Sequence, residues 1–227
     1  MPQIPVEQVT LTLAIASFGP ALLAAIGLFF LARLTNRTER RLGDLASTGM
    51  IVTTIGGLAR AVWMVVAATR RIDAPVLDGT ELGLIAPGLV FVALAFLAAT
   101  GVERVRRPAH VTSRTAVALL VLAFGFGFGQ ARLIGLDIIL VAVAIVAATA
   151  VLGHAVHEAQ RRGLPEAVVV LSCALAAMYA IVGLAALQQT TLLQWVIVVV
   201  HVGAMAAFAR GAWILAQRYV VADLPQA

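Results

Sequence analysis

The run TAVALLVLAFGFGFGQARLIGLDIILVAVAIVAATAVL, residues 115–152, decides the architecture, because only Arg132 and Asp137 interrupt its apolar character. Read as one helix it is far too long for a hydrocarbon layer of about 30 Å, which takes about 20 residues. A tight turn near Ala131–Gly135 is therefore required, dividing the run into Thr115–Gln130 and Leu133–Leu152. Phe124, Phe126 and Phe128 alternate with Gly125, Gly127 and Gly129, a pattern that suggests a strand and that weakens a helix end. A lone strand in lipid leaves its backbone polar groups unsatisfied, so helix is the reading for both halves.

Outward from this run, five further apolar stretches are long enough to cross a bilayer: Val9–Leu31, Ala46–Ala68, Leu82–Ala99, Ala167–Leu187 and Leu192–Leu215. Hydrophobic residues make up 62% of the 227, and charged residues 12%, against roughly 45–50% and about 25% in soluble domains. The expectation is an all-α polytopic membrane protein, residues 1–227 forming one domain of seven transmembrane helices.

Arginine sets the orientation. Arg33, Arg37, Arg40, Arg41, Arg104, Arg106, Arg107, Arg114, Arg161, Arg162 and Arg218 fall on one side of a seven-helix arrangement. The other side has Arg70, Arg71 and Arg132, diluted by Asp73, Asp78, Glu81 and Asp137. The positive-inside rule then places the N-terminus outside and the C-terminus in the cytoplasm. A six-helix reading scatters the same charges over both faces. The net charge of +5 is thus a topology signal, and loops this short build no nucleic-acid surface. The lipid bilayer is the expected partner, with anionic headgroups meeting the arginines. Met1–Gln8 has no basic n-region, so the first helix reads as an uncleaved anchor. Short loops and strong charge bias suggest a bacterial cytoplasmic (inner) membrane.

Several chemistries are absent from the sequence. There is no lysine, which excludes a retinal Schiff base, and no other cofactor is expected. A single cysteine, Cys173, permits no disulfide within the chain. Ser172 adjoins it, but there is no GxSxG elbow, P-loop or dinucleotide fingerprint. GGLARAVWMVV (56–66) and FARGAWILAQR (208–218) share an Arg, a small residue and a Trp, which an Ala/Arg-rich chain produces by chance as readily as by duplication.

Arg60 is the residue that most demands an explanation. It lies ten residues from Arg70, about 15 Å along a helix, where an arginine costs about 2.5–3.5 kcal/mol on insertion scales. It is expected to face the bundle interior, with Glu81, Asp78 or Asp137 as candidate partners, or with a bound anion. Trp63, Tyr179 and His201 occur at similar depth, and Ser17 and Pro20 lie near that level in the first helix. Arg60, Trp63, Tyr179 and His201 therefore form the candidate ligand site for a small anionic or amphipathic molecule. His154 and His157 share a helix face, a metal or proton-transfer candidate with Glu158 or His110 as third ligand, and the same segment reads equally as an ordinary polar helix end. Small-residue faces at Gly49/Thr53/Gly56/Gly57, Cys173/Ala176/Ala180/Gly183 and Gly203/Ala207/Gly211 are suited to helix association.

Three functions follow: binding or transport of such a molecule, an accessory or structural role with a membrane partner or a second copy, and an interfacial lipid enzyme at His154, His157 and Glu158. The absence of a catalytic motif places the enzyme last.

Overall fold

The computed structural model describes residues 9–70, 75–109, 136–187 and 190–221. Its named elements are all helices: α1 (Leu11–Ala16), α2 (Phe18–Thr38), α3 (Arg40–Arg70), α4 (Pro75–Ala99), α5 (Leu136–Arg161), α6 (Pro165–Ala185) and α7 (Thr191–Val221), with residues 103–109 also helical. Six spans among the described residues are long and apolar enough to cross a membrane. The span expected over Thr115–Gln130 lies outside the described residues, as does the start of the one expected over Leu133–Leu152.

The helix ends follow local chemistry. Thr10 caps α1, its Oγ1 accepting from the Leu13 N–H at 3.3 Å. Pro20 lacks an N–H to give to the Ala16 carbonyl, and the helix breaks between α1 and α2 at Ser17, whose Oγ donates to the Ala14 carbonyl at 2.6 Å. The two pieces together form one span, Leu11–Thr38. Glu39 alone, in extended conformation, separates α2 from α3. α4 and α5 both end in left-handed glycines, Gly101 (φ 96°) and Gly163 (φ 64°). Val102 N–H reaches Leu97 O and Leu164 N–H reaches Ala159 O, each at 3.0 Å, the long bond of a Schellman motif. Pro165 then opens α6, where its missing N–H costs nothing.

Packing depends on close backbone approach. A Cβ on Gly49 would meet the Gly88 carbonyl at 2.5 Å, and one on Gly56 would meet the Glu81 carbonyl at 2.9 Å, so α3 and α4 run antiparallel in tight contact. Gly27 admits the Phe208 ring of α7, and Gly211 of α7 admits Leu171 of α6. Around them Leu28, Leu31, Val92, Phe96, Val151, Leu171, Phe208 and Leu215 form the main apolar core. Outward, Leu11, Ile15, Leu22, Ile55, Ile138, Val146, Val169 and Leu192 are exposed. A large aliphatic exterior around a helical bundle is the surface a lipid solvent requires. The protein is a multi-pass helical membrane protein.

Helix direction places the charges. Gly19 faces Val202, Gly27 faces Phe208 and Arg37 bonds Ala216, so α2 and α7 run parallel. Thr100 at the end of α4 meets His154 near the end of α5, so these two are parallel as well. Arg33, Arg37, Arg40, Arg41, Arg104, Arg161, Arg162 and Arg218 consequently gather at one end of the bundle, and Arg70 and Glu81 at the other.

Candidate functional site

Gly49, Thr53, Gly56 and Arg60 follow one another at spacings of four, three and four, which puts Arg60 on the α3 stripe that packs against α4. Because Gly56 lets the α4 backbone come within reach, Glu81 arrives beside the guanidinium. Arg60 Nη1 stands 3.6 Å from Glu81 Oε2, the side chains being 31% and 27% exposed. Arg60 Cζ lies 4.7 Å from the centroid of the Trp63 ring, a cation–π distance. Trp63 itself is buried among Leu13 and Ala14 of α1, Met64 and Ala67 of α3 and Val198 of α7, with Trp195 and Val202 at the margin. Of the three carboxylates that sequence offered Arg60, Glu81 stands beside it; the side chains of Asp78 and Asp137 fall outside the described residues.

His201 lies between Val198 and Val202, partly buried on the α7 wall that borders the Trp63 cluster, and makes no hydrogen bond or ion pair with a described residue. Tyr179 is elsewhere. Its hydroxyl is 2.7 Å from Thr149 Oγ1, linking α6 to α5 on a part of the bundle that packs on α4 and α7 rather than α3. The structure thus brings Arg60, Trp63 and Glu81 together, sets His201 at their border and separates Tyr179. Glu81 is the site residue that sequence reasoning did not include in the ligand group. The spacing that carries Arg60 onto a glycine-lined stripe was the available signal for it.

At the arginine-rich end, Thr100 Oγ1 donates to the Phe96 carbonyl at 2.7 Å. Leu97 O lies 3.2 Å from the same hydroxyl and His154 Nε2 2.6 Å from it, the imidazole tautomer setting which of Thr100 and His154 donates. The Phe96 ring stands edge-on to His154, with centroids 5.6 Å apart. His157 is 6.0 Å from His154, ring to ring. Glu158 is buried, its side chain 6% exposed, and accepts from Arg162 Nε at 2.6 Å and Arg161 Nη1 at 3.4 Å. The Thr100–His154 bond ties the end of α4 to α5, and Glu158 is held by two arginines of its own helix end. Among the described residues no three His, Cys, Asp or Glu side chains are grouped to hold a metal ion; His110 lies outside them.

The small-residue faces divide. Gly49, Thr53 and Gly56 pack on α4, and Gly57 faces Ala21 of α2. Gly183 and Gly203 have open space where a Cβ would stand, and Cys173, Ala176 and Ala180 are exposed.

Comparison with protein-family models, with curated proteins and with solved structures finds no match for this chain.

Proposed function

We propose that this is a seven-span protein of the bacterial cytoplasmic membrane, N-terminus outside and C-terminus inside, that binds or transports a small anionic or amphipathic molecule at Arg60. The span count is supported by the parallel course of α4 and α5, which puts residues 109 and 136 at opposite ends of the bundle. Clustering of the arginines at one end supports the orientation.

The observation that carries the site is the Arg60–Glu81 pair, open at 3.6 Å and about one third exposed rather than sealed. An anion can take the place of the Glu81 carboxylate on the guanidinium while Trp63 receives its apolar part. His201, at the border of the same cluster, adds a hydrogen bond. Tyr179 stands apart from this arrangement, on the contact of α6 with α5. Octanoate is a suitable probe, titrated calorimetrically into the purified protein. R60Q abolishes its binding, and E81Q strengthens it by removing a carboxylate that competes with the anion. Equal binding to R60Q and the parent protein defeats the reading, and lowered melting temperatures in both variants with no octanoate binding to any form make the pair structural.

A second reading, an accessory subunit or a self-associating protein, is favoured by the exposed Cys173, Ala176, Ala180 and Gly183 face of α6. Purification with a stoichiometric partner, or as a dimer, distinguishes it. The interfacial enzyme reading draws least support, since His154 and Glu158 are engaged with Thr100 and two arginines.

A further inference from the structure

A cavity of about 230 Å³ opens between α2 and α7 at the arginine-rich end, far from Arg60, and is lined by Phe30, Arg33, Arg37, Trp213, Ala216 and Gln217. The lining residues recur at three- and four-residue intervals on each helix, so each set occupies one face. Because α2 and α7 run parallel, their polarity gradients match. Phe30 and Trp213 lie toward the membrane interior, and Arg37 and Gln217 lie toward the helix ends. Twenty residues of helix from Leu11, about 30 Å, end at about Phe30, which sets Arg33 and Arg37 at headgroup level.

The charges of the described residues that line the cavity are of one sign, with no acidic side chain among them. Arg37 Nη1 donates to the Ala216 carbonyl at 3.2 Å, which holds its guanidinium across the gap while most of its five N–H donors remain. Neither Arg33 nor the Gln217 amide makes a hydrogen bond or ion pair with a described residue. Arg106, Arg161, Arg162 and Arg210 at the same end are different, each standing beside a carboxylate. The Trp213 ring is braced by Arg210, whose Cζ lies 4.5 Å from its centroid. Two neighbouring guanidiniums with an amide donor above and two aromatic rings below complement a phosphate that carries an apolar chain.

We propose that this cavity is a binding site for the phosphate of an anionic amphiphile. Arg33, Arg37 and Gln217 hold the phosphate oxygens, and Phe30 and Trp213 flank the first part of the chain. The phosphate has two possible sources, a membrane lipid or a soluble phosphate compound.

Native mass spectrometry of the full-length protein, with phosphatidylglycerol, phosphatidylcholine and inorganic phosphate as probes, tests this. Phosphatidylglycerol is expected to stay bound in preference to phosphatidylcholine. R33Q/R37Q is expected to lose at least about tenfold in retention, the factor carried by one charge-assisted hydrogen bond. R104Q/R107Q, which removes the same charge elsewhere on this end, is expected to keep the lipid. If inorganic phosphate displaces phosphatidylglycerol and alone raises the melting temperature, the ligand is a soluble phosphate compound and the phosphate site stands. Should R33Q/R37Q melt abnormally, Gln217→Leu, which leaves both charges, is expected to weaken retention by itself. Equal retention by the parent and R33Q/R37Q, or equal losses in R33Q/R37Q and R104Q/R107Q, overturns the proposal.

Discussion

Thr100 and His154 meet at 2.6 Å across the ends of two parallel helices. This hydrogen bond closes one end of α4 against α5. Beside it, between the same helices, lies an apolar gap of about 360 Å³ lined by Val90, Leu94, Leu97, Val143, Val146 and their neighbours, where no polar side chain is among the lining residues described.

Thr100→Val removes the hydroxyl and leaves His154 Nε2 without its partner. The expected loss is about 0.6 kcal/mol, and up to about 1.7 kcal/mol, the range for hydrogen bonds between membrane helices. Thermal unfolding in detergent measures it. A second change, His154→Phe, on top of Thr100→Val is expected to recover part of the loss, because no unsatisfied donor remains.

Glycine substitutions are expected to separate packed from open faces. Gly49→Leu and Gly88→Leu force α3 and α4 apart, since a Cβ at Gly49 already stands 2.5 Å from the Gly88 carbonyl. The cost of overpacking a tight contact is about 1–3 kcal/mol or more, visible as aggregation on size-exclusion chromatography. Gly203→Leu enters open space and is expected to elute as the parent does.

Glu158→Gln leaves Arg162 facing a neutral amide in a buried setting. The expected destabilisation is about 1–3 kcal/mol, read from the melting temperature. Glu166→Gln, whose partner Arg210 lies in an exposed pair, is expected to change stability by less than about 1 kcal/mol.

Orientation is tested by single cysteines introduced into Cys173→Ser protein. A cysteine at Gln160, at the arginine-rich end, is expected to react with a membrane-impermeant maleimide only after the inner face is opened. One at Leu187, at the opposite end, is expected to react in intact cells. The reverse pattern refutes the proposed topology.

Hydropathy located the described spans, because lipid selects apolar residues whatever their rotation. It placed their ends less well. α3 begins at Arg40 rather than Ala46, and α5 runs on to Arg161 rather than Leu152. A helix is held by backbone hydrogen bonds and outlasts the hydrocarbon, so the polar segments RRLGD and HAVHEAQR remain helical in the interface. Spacing along each helix assigned Arg60, Tyr179 and His201 a similar depth, but it carried no azimuth. Tyr179 turned toward Thr149 because a single helix offers no measure of which neighbour lies beside which face. For Arg60 a regular glycine stripe supplied that measure, and it led to Glu81.

The one-residue bend at Glu39 also constrains how the chain enters the bilayer. Arg33 and Arg37 precede it and Arg40 and Arg41 follow, so four guanidiniums are concentrated around a turn too short to be threaded across piecemeal. At about 2.5–3.5 kcal/mol for each, translocating that apex opposes insertion by roughly 10 kcal/mol. In the proposed orientation that apex stays on the ribosomal side, and α2 and α3 partition into lipid as a single hairpin during biosynthesis.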